Sequence, residues 1–225
     1  MLGTYANTGT ILAGSAIGLS MGRYLPERLK TTVMQGLGLS TLLIGFQMAL
    51  SSHSQLAAIG CLLAGAVTGE LLKIEQGLEF AGEWLKAKTR SDSSTFVQGF
   101  VSSSILFLSG AMMIVGSIQD GAGGDPHTLY VKSLLDGFAS TALAATLGIG
   151  VIFSAVSVLL VQGSVTLLAS HLDFLKEPAI LDAVTATGGM MIVGIGINLL
   201  NLTTIRIGNF IPALFYAIAW SYFFT

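Results

Sequence analysis

The chain has 225 residues, of which 10 % are charged and 52 % hydrophobic, and its mean hydropathy is +0.78. Soluble domains carry about a quarter charged residues, so this composition excludes an ordinary soluble protein and points to a polytopic membrane protein, all-α in class. A net charge of −2 without a Lys/Arg cluster excludes a nucleic-acid partner, and the single cysteine, Cys61, has neither a disulfide partner nor companion metal ligands.

A spanning helix needs roughly 20 mainly apolar residues to cross about 30 Å of hydrocarbon. Eight stretches meet this, at about 4–22, 33–50, 56–72, 96–118, 130–148, 151–170, 180–202 and 207–224. The fifth and sixth are nearly continuous, broken by Leu147-Gly148-Ile149-Gly150, so seven spans with one long broken helix is the alternative. The whole chain, 1–225, reads as one transmembrane domain with an extracytoplasmic loop over 119–130. Basic residues favour the cytoplasmic side. Arg23, Arg28 and Lys30, then Lys73, Lys86, Lys88 and Arg90, then Arg206 fall on one side, against Lys132 and Lys176 on the other. Both termini are therefore expected outside the cytoplasm. No basic residue precedes the first span, so it does not read as a cleaved signal.

Between spans three and four, Ile74, Leu78, Ala81 and Leu85 recur at helical spacing with Phe80 and Trp84 beside them, opposite Glu75, Glu79 and Glu83. This predicts an amphipathic helix over 74–90, either on the cytoplasmic membrane interface or docked on the protein. Twenty-eight glycines exceed the usual share of about 7 %. Gly14, Gly18 and Gly22, and Gly65 and Gly69, stand at the spacing that lets helices approach in lipid; Gly148-Ile149-Gly150 and Gly194-Ile195-Gly196 are candidate breaks. Residues 110–116 (GAMMIVG) echo 188–194 (GGMMIVG) in spans of opposite direction, as an inverted repeat requires, although a seven-residue match in an apolar background also arises by chance.

Ionisable groups inside spans are costly and invite a functional reading. Lys132, Asp136 and Ser140 share one face at i, i+4 and i+8, and Asp120 precedes them. Asp120 and Asp136 fit a cation, proton or amine site with Lys132 as a displaceable counter-charge; equally, Lys132–Asp136 fits a fixed ion pair with Asp120 capping a turn. Asp136, about one turn deeper than Lys132, is the first choice for a substrate or coupling-ion ligand. Span seven adds Asp182, Thr185, Thr187 and Asn198, polar groups that line a path or cross-link helices. Glu70 stands at i−3 from Lys73, where a plain salt bridge is expected. Asn7, Gln35, Gln47, Gln98 and Gln162 are uncharged and either bridge helices or face a cavity. His53, His127 and His171 are dispersed over predicted loops, and no hydrolase, metalloprotease or phosphate-loop motif is present. Neither cofactor, metal nor enzymatic activity is therefore expected.

The run Gly116-Ser117-Ile118-Gln119-Asp120-Gly121, then Lys132-Ser133-Leu134-Leu135-Asp136-Gly137-Phe138-Ala139-Ser140, resembles the YdfK/YqgA family of bacterial membrane proteins, a domain of unknown function. Gly3-Thr4 to Asn7, Leu25-Pro26-Glu27-Arg28-Leu29, Gly69-Glu70-Leu71-Leu72, Thr185-Ala186-Thr187-Gly188-Gly189 and Arg206-Ile207-Gly208-Asn209 continue the likeness in order. The resemblance spans essentially the whole chain and implies a bacterial inner-membrane protein with a presumed transport role. It assigns no catalytic residue. Together these features predict a small secondary transporter of a cationic or cation- or proton-coupled solute, homo-oligomeric in the lipid bilayer. An ion channel, or a scaffold or sensor presenting 74–90 to a cytoplasmic partner, are the alternatives.

Overall fold

A computed structural model describes residues 1–24, 26–52, 55–108 and 111–224. The predicted His53, the Gly110 that opens the first echo and Leu25 of the family pattern lie outside them. The described chain is helical throughout and contains no strand. Its α-helices are α1 (Leu2–Gly22), α2 (Glu27–Leu50), α3 (Gln55–Leu71), α4 (Ile74–Lys88), α5 (Phe96–Leu108), α6 (Ala111–Ile118), α7 (His127–Leu147), α8 (Ser154–Leu167), α9 (Pro178–Leu199) and α10 (Pro212–Phe224). Among the described residues, four helical runs are long and apolar enough to cross a membrane, and up to six if each of two bent pairs, α3–α4 and α5–α6, forms one span.

Three sequence expectations change. The fourth predicted span is two helices whose axes meet at 60°, with the poor helix formers Ser109 and Gly110 between them in sequence. Of the predicted 119–130 loop, Gln119–Gly123 is a π-helical turn and α7 begins at His127. Only Gly124–Pro126 lacks helical structure. At the end of α3, Lys73 takes a left-handed backbone with φ 57°, so it leaves the helical face on which an i,i+3 bridge to Glu70 was expected. The 74–90 helix forms as α4. Its Ile74, Leu78, Ala81 and Leu85 stripe is half-buried, whereas Phe80 and Trp84 are exposed, with the Lys88 ammonium 4.7 Å over the Trp84 ring.

The chain divides into two compact units. One comprises Met1–Met34, Glu79–Leu108 and Met112–Phe174. In it α1 and α7 lie side by side and parallel: a Cβ on Gly14, Gly18 or Gly22 would fall 2.2, 2.2 or 2.6 Å from the carbonyl oxygens of Gly137, Thr141 and Ala145 in turn. The small-residue spacing of α1 thus works as expected in lipid, where close backbone approach supplies dispersion in place of a hydrophobic drive. After α7 the chain turns back through a 3-10 segment, Gly148–Phe153. Gly148 has φ 80° and ψ −157°, a conformation that favours glycine, and a Cβ on Gly150 would meet the Phe96 oxygen at 2.0 Å. The 41-residue run His127–Leu167 is therefore two antiparallel arms, because Asp136 and Gln162 both bond Asn7; an unbroken helix would hold them about 39 Å apart. Alongside α8 runs α5, parallel to it, with Ser104 bonded to Ser157 at 2.9 Å.

The other unit comprises mainly Gln35–Leu78 and Leu175–Thr225. There α2 and α9 pack antiparallel, Gly38 against Leu200 and Gly45 against Val193, and α3 packs antiparallel to α10, Gly65 against Ala213 and Gly69 against Asn209.

Candidate functional site

In the first unit the faces of α1, α7 and α8 that turn toward one another carry polar residues in otherwise apolar helices. Lys132 and Asp136, one helical turn apart, form a buried ion pair through Lys132 Nζ and Asp136 Oδ2. Asp136 stands at the middle of the 21-residue α7. The same oxygen accepts a hydrogen bond from Asn7 Nδ2 on α1 at 2.9 Å, and Asn7 Nδ2 also donates to Gln162 Oε1 on α8 at 3.0 Å. From there the network continues outward. Gln162 Nε2 donates to Thr4 Oγ1 at 3.2 Å, Thr4 Oγ1 lies 3.0 Å from Thr166 Oγ1, and Thr166 Oγ1 donates to the Gln162 carbonyl at 2.9 Å. Asn7, Gln162, Thr4 and Thr166 are all buried. Charges removed from water are tolerated only when paired and hydrogen-bonded, and this net does both: Lys132 balances the charge, and Asn7 saturates the carboxylate oxygen further. The Phe107 ring, 6.0 Å from Lys132 Nζ, closes one side.

Asp120 is buried apart from this cluster. Its Oδ2 accepts the Gly3 N–H at 3.1 Å and lies 3.0 Å from the α-amine of Met1. Instead of capping its own turn, it ties the start of α1 to the π-helical turn. Gly121 in that turn packs so closely on α8 that a Cβ would lie 2.0 Å from the Thr166 oxygen. Ser140, predicted on the ionic face, donates to the Gly137 carbonyl of its own helix at 2.9 Å and packs on Gly14. It serves the α1–α7 contact and makes no bond to the Asp136 cluster.

Span-seven residues belong to the second unit and do not form one cluster with one another. Asp182 Oδ2 accepts the Ser52 hydroxyl at 2.7 Å. Thr185 is half-buried; Thr187 is fully buried, and among the described residues its hydroxyl has no partner. Asn198 spends both ends of its amide on one backbone position, donating to the Ile205 carbonyl at 2.7 Å and accepting the Ile205 N–H at 2.8 Å. That double clamp fixes the connection after α9, so Asn198 acts as a loop anchor. Nearby, Glu70 takes Arg206 at 3.1 Å and Asn209 at 2.6 Å in place of Lys73. Asn209 Oδ1 in turn accepts the Glu75 N–H at 2.8 Å, which fastens the 60° elbow between α3 and α4 to the turn before α10. Among the described residues no group of three or more His, Cys, Asp or Glu side chains is placed to hold a metal ion.

Sequence reasoning brought Lys132 and Asp136 together but left Asn7 and Gln162 undecided. The structure makes both of them bridges between helices. Gln35 and Gln47 on α2 are exposed. The legible signal for Asn7 and Gln162 is an amide in an apolar span; which residues Asn7 bonds, 129 and 155 positions away along the chain, has no signal in the sequence.

Apolar helices of membrane length, with a buried ion pair bridged by amides inside one bundle, define a helical membrane protein. Residues 2–222 match the family described as Protein of unknown function (DUF554), and the chain belongs to that family. It is 27 % identical over 234 residues to the uncharacterized protein YqgA of Escherichia coli (strain K12), covering both chains completely. Over 219 residues it is 27 % identical to the uncharacterized membrane protein YdfK of Bacillus subtilis (strain 168), covering 95 % of this chain and 93 % of that one. No solved structure matches.

Proposed function

We propose that the protein is a secondary transporter in the bacterial inner membrane that carries a small cationic, or cation- or proton-coupled, solute. The observation that supports this best is the Lys132–Asp136 pair at the middle of α7, held by Asn7 and Gln162 where a purely structural bundle gains more from apolar packing. In this reading Asp136 is the solute or coupling-ion ligand and Lys132 the counter-charge it exchanges. Asp120 secures the outer end of α1 against the same bundle.

Within each unit the helix directions are compatible with eight alternating crossings, and the basic residues support placing both termini outside. Spans one and five, and four and six, are the parallel pairs that alternation requires, while spans two and seven, and three and eight, are antiparallel. The exposed Phe80 and Trp84 suit α4 to the cytoplasmic interface. The echo of 110–116 in 188–194 supports an inverted repeat, and homo-oligomers are expected of so small a bundle.

The test is solute flux in proteoliposomes by Asp136→Asn, checked for folding by its melting curve. Loss of flux in a folded variant supports the assignment; normal flux removes Asp136 from the mechanism. Single-channel steps in a planar bilayer would replace the carrier by a channel.

A further inference from the structure

The proton order of the polar net is fixed by its ends, and it leaves one atom over. Thr166 gives its hydroxyl proton to the Gln162 carbonyl, so in the Thr4–Thr166 bond Thr4 is the donor. Thr4 then accepts from Gln162 Nε2, and Gln162 Oε1 accepts from Asn7 Nδ2. Because Gln162 Oε1 faces Asn7, Asn7 presents its NH2 group there, and the same group reaches Asp136 Oδ2 at the other end, where Lys132 also bonds. Both amide protons of Asn7 are thus used, and turning its amide over would aim an oxygen at a carboxylate. Asn7 Oδ1 is the atom left over: it is buried on a residue of 0 % exposure, and among the described residues nothing donates to it.

An unpartnered buried acceptor beside a carboxylate specifies the sign and the kind of its ligand. It repels anions and calls for a hydrogen-bond donor. Because Asn7 Nδ2 touches Asp136 Oδ2, its Oδ1 lies within about 5 Å of that oxygen, a gap that one ammonium nitrogen bridges with two N–H bonds. A bare metal ion of the hard, oxygen-loving kind needs about six oxygens, whereas the remaining oxygens here are already committed to one another. We propose that Asn7 Oδ1 and the Asp136 carboxylate together bind a small primary-ammonium solute through its N–H bonds, the solute replacing Lys132 as the counter-charge of Asp136. The proposal rests on the transporter reading of the Asp136 site and adds its substrate class and a ligand, Asn7.

The experiment measures the melting temperature of the full chain in detergent against methylammonium, tetramethylammonium, sodium and potassium chlorides at equal ionic strength. Wild type, Asn7→Ala and Lys132→Ala are compared. Methylammonium is expected to raise the wild-type melting temperature saturably, with about tenfold weaker half-saturation in Asn7→Ala, the loss of one hydrogen bond to a charged group. In Lys132→Ala it is expected to restore stability in place of the deleted ammonium, and tetramethylammonium, which has no N–H, is not. If Asn7→Ala does not fold, the Lys132→Ala rescue decides alone. Equal effects of methylammonium, tetramethylammonium and sodium, or none in either protein, overturn the proposal. Methylammonium flux in proteoliposomes separates the two readings. Binding without flux overturns transport and keeps the ammonium site, whereas flux of another solute with no methylammonium binding keeps transport and overturns the site.

Discussion

A Cβ placed on Gly14 would sit 2.2 Å from the carbonyl oxygen of Gly137 on the neighbouring helix. Backbone is touching backbone there, and no side chain can move aside. Gly14→Ala is expected to destabilise the protein by about 1–3 kcal/mol or more, the range for overpacking, and to lower its melting temperature in detergent. Gly9→Ala on the same helix, where a Cβ meets nothing within 4 Å, is expected to be neutral or stabilising by about 0.5–1 kcal/mol. Equal melting temperatures for the two variants would mean that α1 and α7 do not meet at this face.

Removing one partner of a buried ion pair leaves an uncompensated charge, at a cost of about 3–5 kcal/mol. Lys132→Met and Asp136→Leu are each expected to fall in that range, and the double variant to recover most of the loss. A double-mutant cycle from denaturant unfolding measures this, and additivity within about 0.5 kcal/mol would show that the two residues are not coupled.

Around the α3–α4 elbow two polar partners of Glu70 differ in worth. Arg206 and Glu70 have side chains 63 % and 58 % exposed, so Arg206→Ala is expected to cost at most about 1 kcal/mol. Asn209 is buried and bridges Glu70 and the Glu75 N–H; Asn209→Ala is expected to cost about 2–3 kcal/mol, through two lost bonds and the groups left unmet. Melting curves in which Arg206→Ala is the more damaging would reverse the ranking.

Thr187 keeps a buried hydroxyl without a partner among the described residues. Thr187→Val preserves its shape and is expected to stabilise by up to about 1 kcal/mol, whereas Thr4→Val, which breaks two bonds of the polar net, is expected to destabilise. A lower melting temperature for Thr187→Val than for the wild type would show that the hydroxyl is satisfied.

Local chemistry made the helices readable. The predicted spans and the observed helices agree closely for α1, α2, α3, α7, α8 and α9, because a segment that must bury its backbone away from water announces itself by length and apolarity. The Lys132–Asp136 contact was equally legible, since i,i+4 neighbours on a helix meet whatever surrounds them. The expected Glu70–Lys73 bridge used the same rule and failed because Lys73 turns left-handed and leaves the helix. Asn198, which the sequence leaves either lining a path or cross-linking helices, instead gives both ends of its amide to Ile205, seven residues on.

What the amino-acid order by itself determined, then, is the class of protein, the helices, the glycine face of α1 and the ionic turn of α7, all set by interactions between residues within a few positions of each other. Only the tertiary structure decided that Asn7 and Gln162 join Asp136, that Asp120 holds the start of α1, that Ser140 belongs to a packing contact and that the arms after Gly148 run antiparallel. Those outcomes depend on which faces meet across more than a hundred residues of chain. In a bundle whose helices are apolar on nearly every side, periodicity does not mark the inward face, so close packing and the pairing of the few polar groups select it.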